Sequence, residues 1–326
     1  MEQSFLLKLL EPLASIASGL SKRKKLSILI YHRVLEQPDY MRPDEIDKGI
    51  FSWQMQLLAN YFNVLPLNEA IEHMQADRLP PRAVCITFDD GYADNLINAA
   101  PIIKQFNLTA TFFIASGFLD GGRMWNDTVI EAVRNMPSAT LDLTEIDLGH
   151  FDIADNTKKC LAAKQIIGQI KHLSIEKRQE CTDYIAAKTQ NLPNNLMLTS
   201  EQLKTLAETG AEIGGHTVNH PILAKLNDVV ATQEIQQNKI FLEKLLNKPI
   251  RFFAYPNGKP TTDYQQHQIK IVQQAGFEAA VSTVWGVADR NSDIWQLPRF
   301  TPWDKSPEKF MLRMIKNYFP IKNSNN

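Results

Sequence analysis

Residues 85–92 read CITFDDGY, an apolar run ending in two adjacent carboxylates and a glycine. The run over 83–88, AVCITF, predicts a buried strand. Neighbouring residues on a strand point to opposite faces. A lone buried carboxylate is costly unless something pairs with it. Two acids at one strand end therefore demand a reason. Gly91 supplies part of it, because glycine lets the chain turn sharply and gives Asp89 and Asp90 access to one small volume.

Working outward, strand-like runs alternate with helical ones. LSILIYH (26–32), NVLPL (63–67), ATFFIAS (110–116), AEIGGH (211–216), IRFFAYP (250–256), FEAAVST (277–283) and IWQLPRF (294–300) are strand candidates. Between them FSWQMQLLANYF (51–62), DNLINAAPIIKQFN (94–107), TSEQLKTLAETG (199–210) and TQEIQQNKIFLEKLL (232–246) carry helical periodicity. This alternation predicts an α/β fold with a largely parallel sheet wrapped by helices. Residues 141–198 break the rhythm with polar, lysine-rich segments of helical period, expected as a helical insertion in a single domain over 26–320.

Composition sets the class. The chain has 326 residues, 44% hydrophobic and 22% charged, with a net charge of -1. That balance offers no electrostatic case for nucleic acid. Cys85, Cys160 and Cys181 show no CxxC spacing, which argues against a disulfide framework or a thiolate metal site and fits a reducing compartment, the cytoplasm. Residues 1–25 do not fit the pattern of a secretory signal, since Glu2 comes first and Lys8 and Glu11 interrupt the apolar core. Phe5, Leu6, Leu9, Leu10, Leu13 and Ile16 predict an amphipathic helix. It either packs on the domain or lies peripherally on the inner membrane with its basic end against anionic lipid.

In folds built on parallel strands, chemistry gathers at the carboxyl ends of the strands. His32, Asp89, Asp90, His216, Asn257 and Arg299 all fall there. GGHTVNH places His216 and His220 four apart after a strand. On one helical turn such a pair shares a face and can grip one metal ion. With one aspartate the count reaches three ligands and an open position, the pattern of a catalytic zinc site. The second aspartate would then stand beside the metal as a base.

TFDDG (87–91) followed downstream by HTVNH (216–220) resembles the polysaccharide deacetylase family, also called NodB-like or carbohydrate esterase family four. The resemblance implies a distorted (β/α) barrel of about seven strands. It implies a divalent metal, zinc by preference, on Asp90, His216 and His220, with Asp89 as base. FAYPNG (253–258) is similar to the family's third motif, which lines the groove and gives a backbone N–H to the oxyanion; this makes Tyr255 and Asn257 substrate-binding candidates. Two departures matter. The arginine that normally pairs with the base is missing at Ala254 or Tyr255, and Arg299 in LPRF is the candidate replacement. The family's late histidine acid has no counterpart except His267, in a polar run, so His32 at the end of the first strand is the candidate acid.

Trp125 in MWNDTVIEAV offers an aromatic face for a sugar ring, while Asn126 or Asp127 is expected to cap the following helix. The expected activity is metal-dependent removal of N-acetyl groups from amino sugars in a polysaccharide or lipid-linked glycan. Amide hydrolysis on a non-sugar substrate and silent saccharide binding are the alternatives.

Overall fold

The computed structural model describes residues 24–318. The helix expected over 1–25 lies almost wholly outside the described residues, and with it the expected membrane contact. Among the described residues no helix is long and apolar enough to cross a membrane.

Seven parallel strands form one curled sheet: β1 Leu26–Tyr31, β2 Asn63–Val64, β3 Ala83–Phe88, β4 Thr111–Ile114, β5 Glu212–Gly215, β6 Phe252–Ala254 and β7 Ala279–Val281. The order is β1-β3-β4-β5-β6-β7, and β2 pairs with the first half of β3 on the edge that β4 takes further along. The expected last strand, IWQLPRF, is instead an irregular segment. Leu297 bridges to Val281 and Phe300 bridges to Leu29, so this segment joins β7 back to β1. Pro298 has no N–H to give, which suits a bridge better than a ladder. The result is the distorted (β/α) barrel that the resemblance implies; the distortion shows where β5 and β6 share a single paired position, Gly215 with Phe253.

Strand parity sorts the side chains. Leu29, Tyr31, Val84, Ile86 and Phe88 pack outward in the cluster that includes the helices. Phe88 stacks between Tyr31 and Phe112, with ring centroids 5.3 and 4.8 Å away. Burying one such ring stabilises by roughly 1.5–3 kcal/mol. The alternate residues Leu26, Ile28, Ala83 and Cys85 pack with Phe252, Ala254 and Val281 in a second cluster. Cys85 is thus a small apolar filler, and burial pushes its thiol pKa up. Thr87 and Asp89 continue the Cys85 face, and Ile30 and His32 continue that of Ile28. Because Tyr31 pairs level with Phe88, His32 and Asp89 leave the barrel at one rim.

The insertion is not wholly helical. It opens with an antiparallel hairpin, Thr140–Leu143 against Gly149–Asp152. The alternating burial of TLDL is the signature of a half-buried strand. Helices Asn156–Ile170 and Ile175–Ala187 follow, and they share an apolar cluster with helix Trp125–Asn135.

Candidate metal and catalytic site

The site lies at the carboxyl ends of the strands, in a cavity of about 410 Å³ walled in part by His32, Asp89, Asp90, His216, His220 and Asn257. Simple strand parity would aim Asp90 at the outer layer, opposite to Asp89. The backbone breaks that rule. Asp90 has φ 75° and Gly91 φ 91°, so the chain leaves the extended conformation as β3 ends and Asp90 turns inward.

His216 and His220 do meet, though not on a helical turn as their spacing predicts. β5 ends at Gly215, and an irregular turn follows in which Thr217 (φ 64°) and His220 (φ 50°) take left-handed backbone. The His220 N–H donates to Thr217 Oγ1 at 3.1 Å. The turn is braced from helix Asp228–Leu246 by two buried residues one turn apart. Glu234 accepts the Val218 and Asn219 amides at 2.9 and 2.8 Å. Asn238 accepts the His216 N–H and donates to the Ile114 and Thr217 carbonyls. A Cβ on Gly214 would lie 2.4 Å from the Phe113 ring, so the glycine before the turn is a close-packing requirement.

Asp90, His216 and His220 offer one ligand atom each, all within 4.8 Å of one another. Asp90 Oδ1 lies 3.4 Å from His216 Nε2 and 3.5 Å from His220 Nε2. Two ligands about 2.0–2.1 Å from a tetrahedral zinc stand roughly 3.3 Å apart. These distances are long for hydrogen bonds. Asp90 Oδ1 is buried with no hydrogen-bond partner. His216 Nδ1 is 2.7 Å from the Ala254 carbonyl, which places the proton on Nδ1 and turns the Nε2 lone pair toward Asp90. An orphaned carboxylate oxygen facing imidazole lone pairs is an arrangement that a cation completes. Burial opposes charge on all three. It carries the His220 pKa down to about 4, whereas around Asp90 the three histidines outweigh it and hold the carboxyl low. His216 goes up, because Asp89 and Asp90 outweigh its burial.

Asp89 stands 4.0 Å from His216 Nε2 and is only 2% exposed. Arg299 holds it in a two-pronged pair: Nη1 to Oδ1 and Nη2 to Oδ2, both 2.7 Å. The guanidinium, itself fully buried, also donates to the Ser282 carbonyl and to Thr87 Oγ1. Burial raises the Asp89 pKa, but Arg299 outweighs it and the carboxyl is held below its ordinary range. The bridging segment 297–300 thus delivers Arg299 to the place that the departure from the third motif left vacant.

His32 lines the cavity. Glu45, on the same wall, feels His32 electrostatically, and its own carboxyl is pushed up by burial. Glu45 carries no motif and was invisible in the sequence. His267 is exposed and pairs with Asp228 at 3.3 Å, away from the cavity.

Asn257 is on the wall with φ 58°, and among the described residues its N–H has no hydrogen-bond partner. Tyr255 is a correction. It is fully buried, stacks on Tyr264 with centroids 3.8 Å apart, and does not reach the cavity, because just past β6 it continues the outward-facing parity of Phe253. Trp125 does line the cavity, and one of its faces carries the Arg178 guanidinium at 4.9 Å. The expected cap is also corrected. The helix starts at Trp125 with Met124 as cap residue, and Asp127 instead accepts from Arg42 Nη2 and the Tyr92 hydroxyl, both at 2.8 Å, in a buried ion network.

The sequence model of the family described as polysaccharide deacetylase matches residues 76–141 and 162–280. YxkH of Bacillus subtilis (strain 168), which carries the name of a polysaccharide deacetylase, is 23% identical over 279 residues, covering 85% of this chain and 71% of its own. Among solved structures, the Streptococcus pyogenes deacetylase PplD in complex with acetate superposes with a TM-score of 0.61 at 21% identity, over 92% of this chain and 100% of its own. IcaB from Ammonifex degensii gives 0.56 at 18% identity, over 90% and 97%.

Proposed function

Because the chain belongs to the polysaccharide deacetylase family, we propose that it hydrolyses the N-acetyl groups of amino sugars in a polysaccharide or glycoconjugate with the help of a divalent metal. The observation that carries this reading is the convergence of Asp90, His216 and His220 beside an aspartate locked by Arg299, all in one open cavity.

Asp90, His216 and His220 would hold the ion, zinc by its nitrogen and oxygen donors, which when bound polarises a carbonyl and acidifies water. Asp89 is the base. Arg299 keeps it ionised despite its burial and fixes both oxygens, so it meets the attacking water as a carboxylate and removes its proton. The free N–H of Asn257 stands on the wall as a donor for the carbonyl oxygen as charge develops there. His32, on the same wall, supplies a proton to the departing amine. Acetate and a free amino sugar leave. Trp125 offers its edge and remaining face to a sugar ring.

The test is acetate release from a panel of N-acetylated glycans, lipid-linked ones included. Release from at least one glycan supports the proposal. Turnover confined to non-sugar amides would move the chain to the alternative reading.

A further inference from the structure

Arg178 is 6% exposed, and among the described residues no carboxylate lies within 4.0 Å of its guanidinium, which makes no hydrogen bond there. Among the described residues its close partner is the Trp125 ring. The acid that bears on it most is Glu234, whose two oxygens are already taken by Val218 and Asn219. Arginine does not discharge, and with no carboxylate beside it this guanidinium keeps its nitrogens open to the cavities it lines, as a charge without an anion. It stands in a wall common to two cavities. Besides the catalytic one, a second cavity of about 220 Å³ shares Lys171, Arg178 and Ile222 with it.

That second cavity is positive. Lys171 and Lys225 line it, and neither has an ion-pair partner among the described residues. Its wall also contains Ser174 and Asn227, the cap residues at the N-termini of helices Ile175–Ala187 and Asp228–Leu246, whose dipoles add partial positive charge. Glu176 is the single acid on the wall, and it is occupied by its own amide and by the Ser174 hydroxyl.

We propose that Arg178, Lys171 and Lys225 form a subsite for an oxyanion, a phosphate or carboxylate carried by the same glycan as the acetamide. The subsite rests on the deacetylase reading only for the identity of that glycan. Its position beside Trp125 suits a sugar that stacks in the catalytic cavity while its charged neighbour reaches Arg178. A glycan bearing phosphate or uronic acid is then preferred over a neutral one. Charge-assisted bonds of this kind are geometrically demanding, and a guanidinium fork suits both anions.

The experiment is a calorimetric titration of the full chain with methyl phosphate and, separately, with methyl glucuronate, at low salt, in zinc and in chelator. Wild type should bind one of the two in both conditions, and the better ligand tells phosphate from carboxylate. Arg178→Gln should weaken binding about 10-fold or more, as should Lys171→Ala combined with Lys225→Ala. Raising the salt should weaken binding in wild type. Binding that vanishes in chelator and ignores both variants would place the anion on the metal and overturn the proposal, as would no binding of either probe. Acetate release is read separately. Probe binding without any turnover would count against the deacetylase reading and leave the subsite standing.

Discussion

Arg299→Met removes four hydrogen bonds at one stroke, two of them to Asp89 at 2.7 Å. The carboxylate left behind is 2% exposed, and His216 Nε2 stands 4.0 Å away. Breaking a buried pair from one side costs about 3–5 kcal/mol, because the stranded charge cannot reach water. In wild type the Asp89 pKa is depressed, so its contribution is present above its unfolded pKa, about 3.9, and is lost as pH falls through the folded value. Without the guanidinium, burial dominates and the sign reverses: the folded pKa rises above the unfolded one, and stability drains away as pH rises through it. The gap between wild type and variant should therefore widen from pH 4 to pH 8. Urea unfolding in chelator, which keeps metal affinity out of the comparison, measures it. Arg299→Lys keeps a charge but not the fork, and should lose about half as much. In a double-mutant cycle with Asp89→Asn, the coupling should reach about 2 kcal/mol or more. Additive losses, or a gap that does not grow with pH, would refute the argument that Arg299 acts through Asp89.

Three other outcomes follow from the geometry. Asp89→Asn should abolish acetate release while the protein still binds zinc, whereas Asp90→Ala should lose the zinc itself; metal analysis of the two purified variants decides it, and the reverse pattern would exchange the roles. His32→Ala should lower turnover by about 10²–10⁴ with zinc retained, and His267→Ala should change little; near-normal turnover in His32→Ala removes it from the mechanism. Glu212, at the start of β5, has its pKa pushed up to about 7 by burial, so its charge destabilises the fold as pH rises from about 4.5 to 7. The shift corresponds to at most about 3 kcal/mol and, discounted for partial exposure, about 1–2. Glu212→Gln should leave the melting temperature unchanged at pH 4.5 and raise it at pH 8; equal melting at both pH values would show that the carboxyl is not strained.

Much of the site was legible because its chemistry is local. DDG and the two histidines of HTVNH sit at strand ends, and parallel strands bring such ends together whatever the details between them. The details went differently for physical reasons. Spacing of four suggested a helical turn, but Thr217 and His220 adopt left-handed backbone, which no periodicity reveals, and the turn needs Glu234 and Asn238 from a helix further along the chain. Arg299 was found by its strand-end position, yet its segment bridges two strands without being one. Tyr255 went wrong because a one-residue step along β6 changes the face. Asp127 looked like a cap, since the tertiary partners Arg42 and Tyr92 that claim it lie far away in sequence. Glu45 and Arg178 carry no motif, and only their place on the cavity wall marks them out.

The most direct test of the metal-assisted mechanism is the acetate released from an accepted N-acetylated glycan before chelation, after chelation, and after zinc is restored, in wild type and Asp90→Ala. Release that stops with chelator, returns with zinc in wild type and never appears in Asp90→Ala is the predicted result. Release that continues unchanged in chelator, or that Asp90→Ala retains in full, would contradict it.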